Sequence, residues 1–76
     1  MILSEHDSVV LARDLPEYGL KSGDVGTMVL VHPAGGYEVE FMTLDGETIA
    51  VTSLSIAEVR PIARGEIAHA RGVEAV

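Results

Sequence analysis

Residues 23–27 read Gly-Asp-Val-Gly-Thr, and the apolar run Met-Val-Leu-Val follows at once at residues 28–31. A Pro-Ala-Gly-Gly segment at residues 33–36 then leads into Tyr-Glu-Val-Glu-Phe at residues 37–41. Because proline presets one φ angle and glycine permits positive φ, the four residues 33–36 suit a hairpin turn. The two runs therefore predict adjacent antiparallel strands.

Outward from this hairpin, the remaining sequence predicts three more strands. A second turn contains Asp45 and Gly46, a pair that favours tight connections, and residues 53–57 are short enough for one turn of 3₁₀ helix before the last strand. The predicted strands are residues 8–12, 25–32, 37–42, 48–52 and 58–62.

Five short strands, with a long loop after the first, are typical of an all-β fold, a small five-stranded SH3-like barrel. We expect one domain over residues 1–62. Residues 63–76 are rich in alanine and interrupted by Gly65 and Gly72, which predicts a C-terminal tail, partly disordered or docked on a neighbouring subunit. Residues with a structural role in the turns are expected to be Gly23, Asp24, Gly26, Gly35, Gly36, Asp45 and Gly46. The predicted core is Val9, Leu11, Leu20, Val25, Val29, Val31, Val39, Phe41, Ile49, Val51, Leu54 and Val59.

Side-chain alternation predicts which residues face solvent. In the third strand, Val39 points to the core while Glu38 and Glu40 point outward. The second strand is apolar on both faces, and we expect Val29 and Val31 inward and Met28 and Leu30 outward. Because an exposed apolar pair on a strand marks a covered surface, it predicts contact with the tail or with another subunit. The predicted interaction surface is Met28, Leu30, Tyr18, Tyr37 and Ile67.

The composition limits the possible partners. Twelve acidic and five basic side chains give a net charge of −7, which repels phosphate backbones and anionic membrane surfaces. The chain contains no cysteine, which excludes disulfides, thiolate metal ligands and thiol nucleophiles. The N-terminus lacks the pattern of a signal peptide, and no apolar run reaches membrane-spanning length, so we expect a soluble cytoplasmic protein.

No residue pattern predicts catalysis. Asp24 between two glycines suits a metal ligand or a catalytic acid, but such an aspartate more often caps a turn by accepting backbone N–H bonds. The three histidines, His6, His32 and His69, are far apart in sequence. The glycine pair around Asp24 lacks the lysine of a phosphate-binding loop. We therefore expect no enzyme activity, no cofactor, no metal and no small-molecule substrate.

The aromatic residues leave one further option open. Tyr18 in the long loop and Tyr37 at the start of the third strand suit a groove for proline-rich peptides, although no tryptophan completes it. The alternative is that Tyr18 anchors the loop by packing against the barrel.

The motifs at residues 23–27 and 37–41, with Asp-Leu-Pro at residues 14–16 and Arg60-Pro61, resemble a bacterial family catalogued as domain of unknown function 4926. The resemblance covers about residues 8–62 and implies an SH3-like barrel, without adding an activity. More distantly, the pattern is similar to the SH3-like domain of nitrile hydratase β-subunits and to KOW motifs.

We expect a non-catalytic protein-interaction module that self-associates into a homo-oligomer. One alternative is an acidic accessory or antitoxin-like inhibitor that masks a basic protein partner. Another is a KOW-like nucleic-acid-binding module, in which Arg13, Lys21 and Arg60 form a local basic patch that the net charge opposes.

Overall fold

The computed structural model describes residues 3–73 and confirms an all-β fold of five strands. The third strand has the predicted bounds, and the other four differ from prediction only at their ends. The strands are β1 (Ser8–Leu11), β2 (Val25–Val31), β3 (Tyr37–Met42), β4 (Thr48–Leu54) and β5 (Val59–Pro61).

The described 3₁₀ helix lies in the long loop rather than before β5. It spans Pro16–Tyr18, where proline at the first position suits a helix start and Gly19, at φ 69°, ends it. Before β5 the chain makes a tight turn instead, in which the N–H of Glu58 donates to the carbonyl of Ser55 at 3.0 Å. The carboxylate of Glu58 accepts from the N–H of Ser55 at 2.9 Å, so the turn is closed from both ends.

All five strands pair antiparallel in one sheet with the order β4-β3-β2-β1-β5. No ladder joins β4 to β5 within residues 3–73, so the sheet is not closed there. The Cα radius of gyration is 11.9 Å, near the roughly 11 Å expected for a compact chain of this length. The sheet therefore curls around its core as in an SH3-like barrel.

Gly26 lies inside β2, as the predicted strand of residues 25–32 has it, so its expected structural role in a turn was wrong. Its backbone pairs with Val9. A Cβ placed there would lie 2.7 Å from Val39 and 2.8 Å from Phe41, both on β3. The absence of a side chain thus lets β3 pack closely over β2.

The position of Gly26 sets which side chains of β2 face the core. Met28, two residues on, is fully buried, so the prediction that it points outward was wrong. Val25 and Val29 had been placed in the core and are exposed, because they alternate with Gly26 and Met28. A register shift between Met28 and Leu30 leaves Leu30 exposed as well.

Of the core residues predicted in β4, Ile49 and Leu54 are confirmed and Val51 is not. Ala50, Thr52 and Leu54 are buried, and Val51, predicted to be in the core, is 54% exposed. The register of β4 against β3 shifts between Phe41 and Met42, next to the pair of Phe41 with the buried Ala50. Other predicted core residues are buried or pack against the core: Val9, Leu11, Leu20, Val31, Val39, Phe41, Ile49, Leu54 and Val59.

We predict that Gly26→Ala lowers the free energy of unfolding by about 1–3 kcal/mol, because the new methyl group overpacks the contact with Val39 and Phe41. Urea denaturation followed by circular dichroism measures the change. Gly72→Ala is the control, since a Cβ at Gly72 meets no described atom within 4 Å; its effect should stay within about 0.5 kcal/mol. Equal midpoints for the two variants would contradict the prediction.

Candidate interaction surface

The outward side of strands β2 to β4 carries a mixture of apolar and acidic side chains, which we call the outer face. It consists of Val29, Leu30, Glu38, Glu40 and Val51. Val29, Leu30 and Val51 are 44%, 41% and 54% exposed. In the ladders, Leu30 lies opposite Glu38, and Glu40 lies opposite Val51. Apolar and acidic groups therefore alternate across neighbouring strands.

Hydrogen bonds hold both carboxylates of the outer face. Glu38 accepts from the hydroxyl of Ser53 and lies 2.8 Å from Nε2 of His32. The bond from Ser53, and after it the one with His32, lowers the pKa of Glu38 below its ordinary value. Glu40 accepts from the hydroxyl of Thr48 at 2.7 Å. The carboxylates are thus bound to neighbouring side chains on the sheet.

The sequence that forms the outer face contains no lysine or arginine. Residues 25–54 include Glu38, Glu40, Asp45 and Glu47, with His32 as the one potential cation. Three arginines elsewhere pair with carboxylates of the same chain: Arg13 with Glu58, Arg60 with Glu66 and Arg71 with Asp24. The negative charge of the outer face is therefore not offset by any lysine or arginine of the same segment.

Strand β4 is one edge of the sheet, and it carries no charged residue, proline or glycine over its seven residues, Thr48–Leu54. The opposite edge, β5, has only three residues and includes Arg60 and Pro61. Short length, charge and proline are features that protect a sheet edge from pairing with another strand. Edge β5 has these features and edge β4 lacks them.

The C-terminal tail contacts the barrel through Arg71. Its guanidinium binds Asp24 with two hydrogen bonds, of 2.9 Å to Oδ1 and 2.5 Å to Oδ2, and donates a third to the carbonyl of Gly19 at 3.0 Å. Asp24 also accepts from the N–H of Lys21 at 2.8 Å, as a turn-capping aspartate does. Asp24 thus both closes the turn before β2 and holds the tail.

A cavity of about 380 Å³ lies where the tail meets the barrel. Leu20, Val25, Phe41 and Met42 line it on the barrel side, and Ala70 lies on the tail side. The cavity is open and mostly apolar. It lies beside the start of β2, whereas Leu30 lies towards the other end of that strand.

The structure separates the residues predicted to form one surface. Met28 is in the core, while Leu30 is on the outer face. Tyr18 lies at the end of the 3₁₀ helix, where its hydroxyl accepts a 3.5 Å bond from Thr52. Tyr37 is half-buried against the core, and Ile67 in the tail is 94% exposed.

The expected turn glycines other than Gly26 have positive φ angles. The values are 98° at Gly23, Gly35 and Gly46 and 94° at Gly36. Asp45 accepts from the hydroxyl of Thr43 at 2.5 Å in the second hairpin. Sequence reasoning missed Val29, Val51 and Arg71. Val29 and Val51 were assigned to the core. Nothing in the local sequence around Arg71 specifies which residues it contacts.

Residues 3–73 contain neither a cluster of metal-ligating side chains nor a membrane-spanning helix. No group of three His, Asp or Glu side chains there could hold a metal ion. No helix within the described residues is long and apolar enough to cross a bilayer.

The fold and the outer face together define a small all-β protein of the SH3-like type with an acidic sheet face. The chain belongs to the family described as Domain of unknown function (DUF4926), whose model matches residues 5–61. No curated protein and no solved structure gives a significant match. The family match spans all five strands and ends at Pro61, before the tail.

We predict that Arg71→Gln raises the pKa of Asp24. Burial raises this pKa in the wild type, but hydrogen bonds from Arg71 and from the N–H of Lys21 outweigh burial and hold it below its ordinary value. A carboxyl with a depressed pKa stabilises the fold above its unfolded pKa, about 4, and that contribution is lost as the pH falls through the folded value. Arg71→Gln should shrink this acid-dependent loss. Carboxyl NMR titration measures the pKa.

Arg64→Gln is the control for this prediction, because it removes the same charge from the tail and Arg64 forms no ion pair within the described residues. The pKa of Asp24 should then stay at its wild-type value. An unchanged Asp24 titration in Arg71→Gln would show that the ion pair does not form in solution.

Proposed function

We propose that this chain is a non-catalytic, cytoplasmic protein-interaction module that binds a protein partner through the outer face and the adjacent edge of β4. The observation that carries the proposal is the exposure of Val29, Leu30 and Val51 together on one side of the sheet. Val29 and Leu30 are adjacent on β2, and Glu38 and Glu40 of β3 lie between them and Val51. Such a mixture of apolar and polar groups is typical of non-obligate protein interfaces.

The state of the acidic groups supports binding over acid–base chemistry. A general acid at neutral pH needs a raised pKa, whereas hydrogen bonds lower that of Glu38. The same ionised carboxylates are suited to fix the orientation of a partner by accepting hydrogen bonds at the rim of an apolar contact.

The experiment is affinity purification from the native cell, followed by mass spectrometry, with three baits. These are the wild type, Leu30→Ser and Ile62→Ser. Ile62, after β5, is an exposed apolar residue outside the outer face. We expect the wild type and Ile62→Ser to capture the same set of proteins and Leu30→Ser to lose that set. Circular dichroism should show that all three baits are folded. Retention of the same proteins by Leu30→Ser would contradict the proposal.

A basic partner is the second candidate, favoured by the absence of lysine and arginine from residues 25–54. An acidic accessory or inhibitor protein would then mask a cationic surface on its target. Such a complex should weaken steeply between low and high salt, because screening reduces attraction between exposed charges. A complex that is insensitive to salt would favour the apolar contact alone.

Nucleic-acid binding has less support. Of the three residues that would form a basic patch, Arg13 lies 3.5 Å from Glu58 and Arg60 binds Glu66 through two hydrogen bonds. Lys21 is the third. Pairing with carboxylates reduces the positive potential available to a phosphate backbone.

A further inference from the structure

We propose that the partner of β4 is β4 of a second copy of this chain, paired antiparallel about a two-fold axis at Val51. This inference rests on the proposed function and names the partner and the contact. It joins two five-stranded sheets, edge to edge, into one sheet of ten strands.

Strand β4 has unused backbone groups on its outer edge. It pairs with β3 on one side, and within residues 3–73 no ladder or other backbone hydrogen bond occupies its opposite side. A strand in this state presents a row of donors and acceptors to any extended segment. Residues 50–54 pair with β3 without a register shift, which leaves five residues for a regular ladder, and no proline interrupts them.

The distribution of charge also favours pairing at the edge of β4. The chain carries a net charge of −7, so two copies repel unless they meet where charge is sparse. Stacking two outer faces would bring Glu38 and Glu40 of each copy together. Strand β4 has no charged residue from Thr48 to Leu54, so pairing it with itself places no like charges opposite each other.

Distance also separates the carboxylates in the edge-to-edge arrangement. Glu40 lies on β3, one strand inward from the edge, so the two copies of Glu40 are three strand spacings apart. At about 4.8 Å per spacing this is roughly 14 Å, beyond the Debye length of about 8 Å at physiological salt. The charge that opposes face-to-face stacking therefore opposes edge pairing only weakly.

Strand β4 is also complementary to a second copy of itself. An antiparallel register about Val51 places Val51 opposite its own copy and Ala50 opposite Thr52. Ala50 and Thr52 both face the core. The core-facing side chains of one sheet therefore continue into those of the other. The exposed valines meet on the outer side, where a β-branched cross-strand pair is favourable. A two-fold interface of this kind closes at a dimer.

Single-cysteine variants test the geometry directly, because the chain has no cysteine of its own. In the proposed register the two Cα atoms of residue 51 are about 4.5–5.5 Å apart, within the range that a disulfide spans. We expect Val51→Cys to form a disulfide-linked dimer under mild oxidation at least about tenfold faster than Leu30→Cys. Equal rates for the two variants would overturn the proposed register.

A charge substitution tests the energetics without covalent chemistry. Val51→Lys places two lysines opposite each other across the axis, while Leu30→Lys adds the same charge to the same face on β2. The pair is matched, since each new lysine lies opposite a glutamate within its own sheet, Glu40 or Glu38. Light scattering over a concentration series should give a wild-type mass that rises from 8.0 kDa towards twice that value. Val51→Lys should weaken the dimer by at least about tenfold and Leu30→Lys by much less.

The outcomes separate this inference from the proposed function. A wild-type chain that stays monomeric at millimolar concentration overturns the pairing of β4, while a partner captured by that chain and lost from Leu30→Ser still supports the interaction module. A dimer that Leu30→Lys disrupts and Val51→Lys does not would place self-association on the outer face and also overturn the pairing. Loss of the dimer in Val51→Lys alone, with its circular dichroism unchanged, supports it.

Discussion

The close packing of β3 over Gly26 is the constraint from which the rest of the barrel follows. Val39 and Phe41 come so near the backbone of β2 that no side chain fits between them. Because Gly26 faces inward, Met28, two residues on, also faces inward, and Val25 and Val29 face outward. The side of β2 that meets the core, and with it the composition of the outer face, is therefore set where the strand begins.

The register shift after Met28 has a second consequence for the surface. A regular strand alternates strictly, so Val29 and Leu30 would face opposite sides. The irregularity instead leaves both of them exposed, next to Glu38 of the neighbouring strand. Bulges commonly redirect side chains where a sheet has a role beyond packing. Here the effect is a larger apolar area on a face otherwise marked by carboxylates.

Charge is distributed unevenly over this small fold. Arg13, Arg60 and Arg71 bind carboxylates in the loops and the tail, while the segment from β2 to β4 keeps acidic residues without lysine or arginine. The outer face thus carries carboxylates, and the edge of β4 is the uncharged strip beside it. The two neighbouring surfaces therefore differ in charge.

Local patterns determined much of this protein from sequence alone. The strands, both hairpin turns and the alternation of β3 were readable, because turn residues and a two-residue period are properties of short segments. The phase of β2 and β4 was not readable. Residues 28–31 are all apolar, so alternation allows either phase, and only the contact between Gly26 and β3 decides it. Likewise, Arg71 and Asp24 lie 47 residues apart and meet only once the barrel brings the start of β2 beside the tail. Short-range sequence specifies backbone geometry, whereas the identity of the exposed face depends on packing between segments that are distant in the chain.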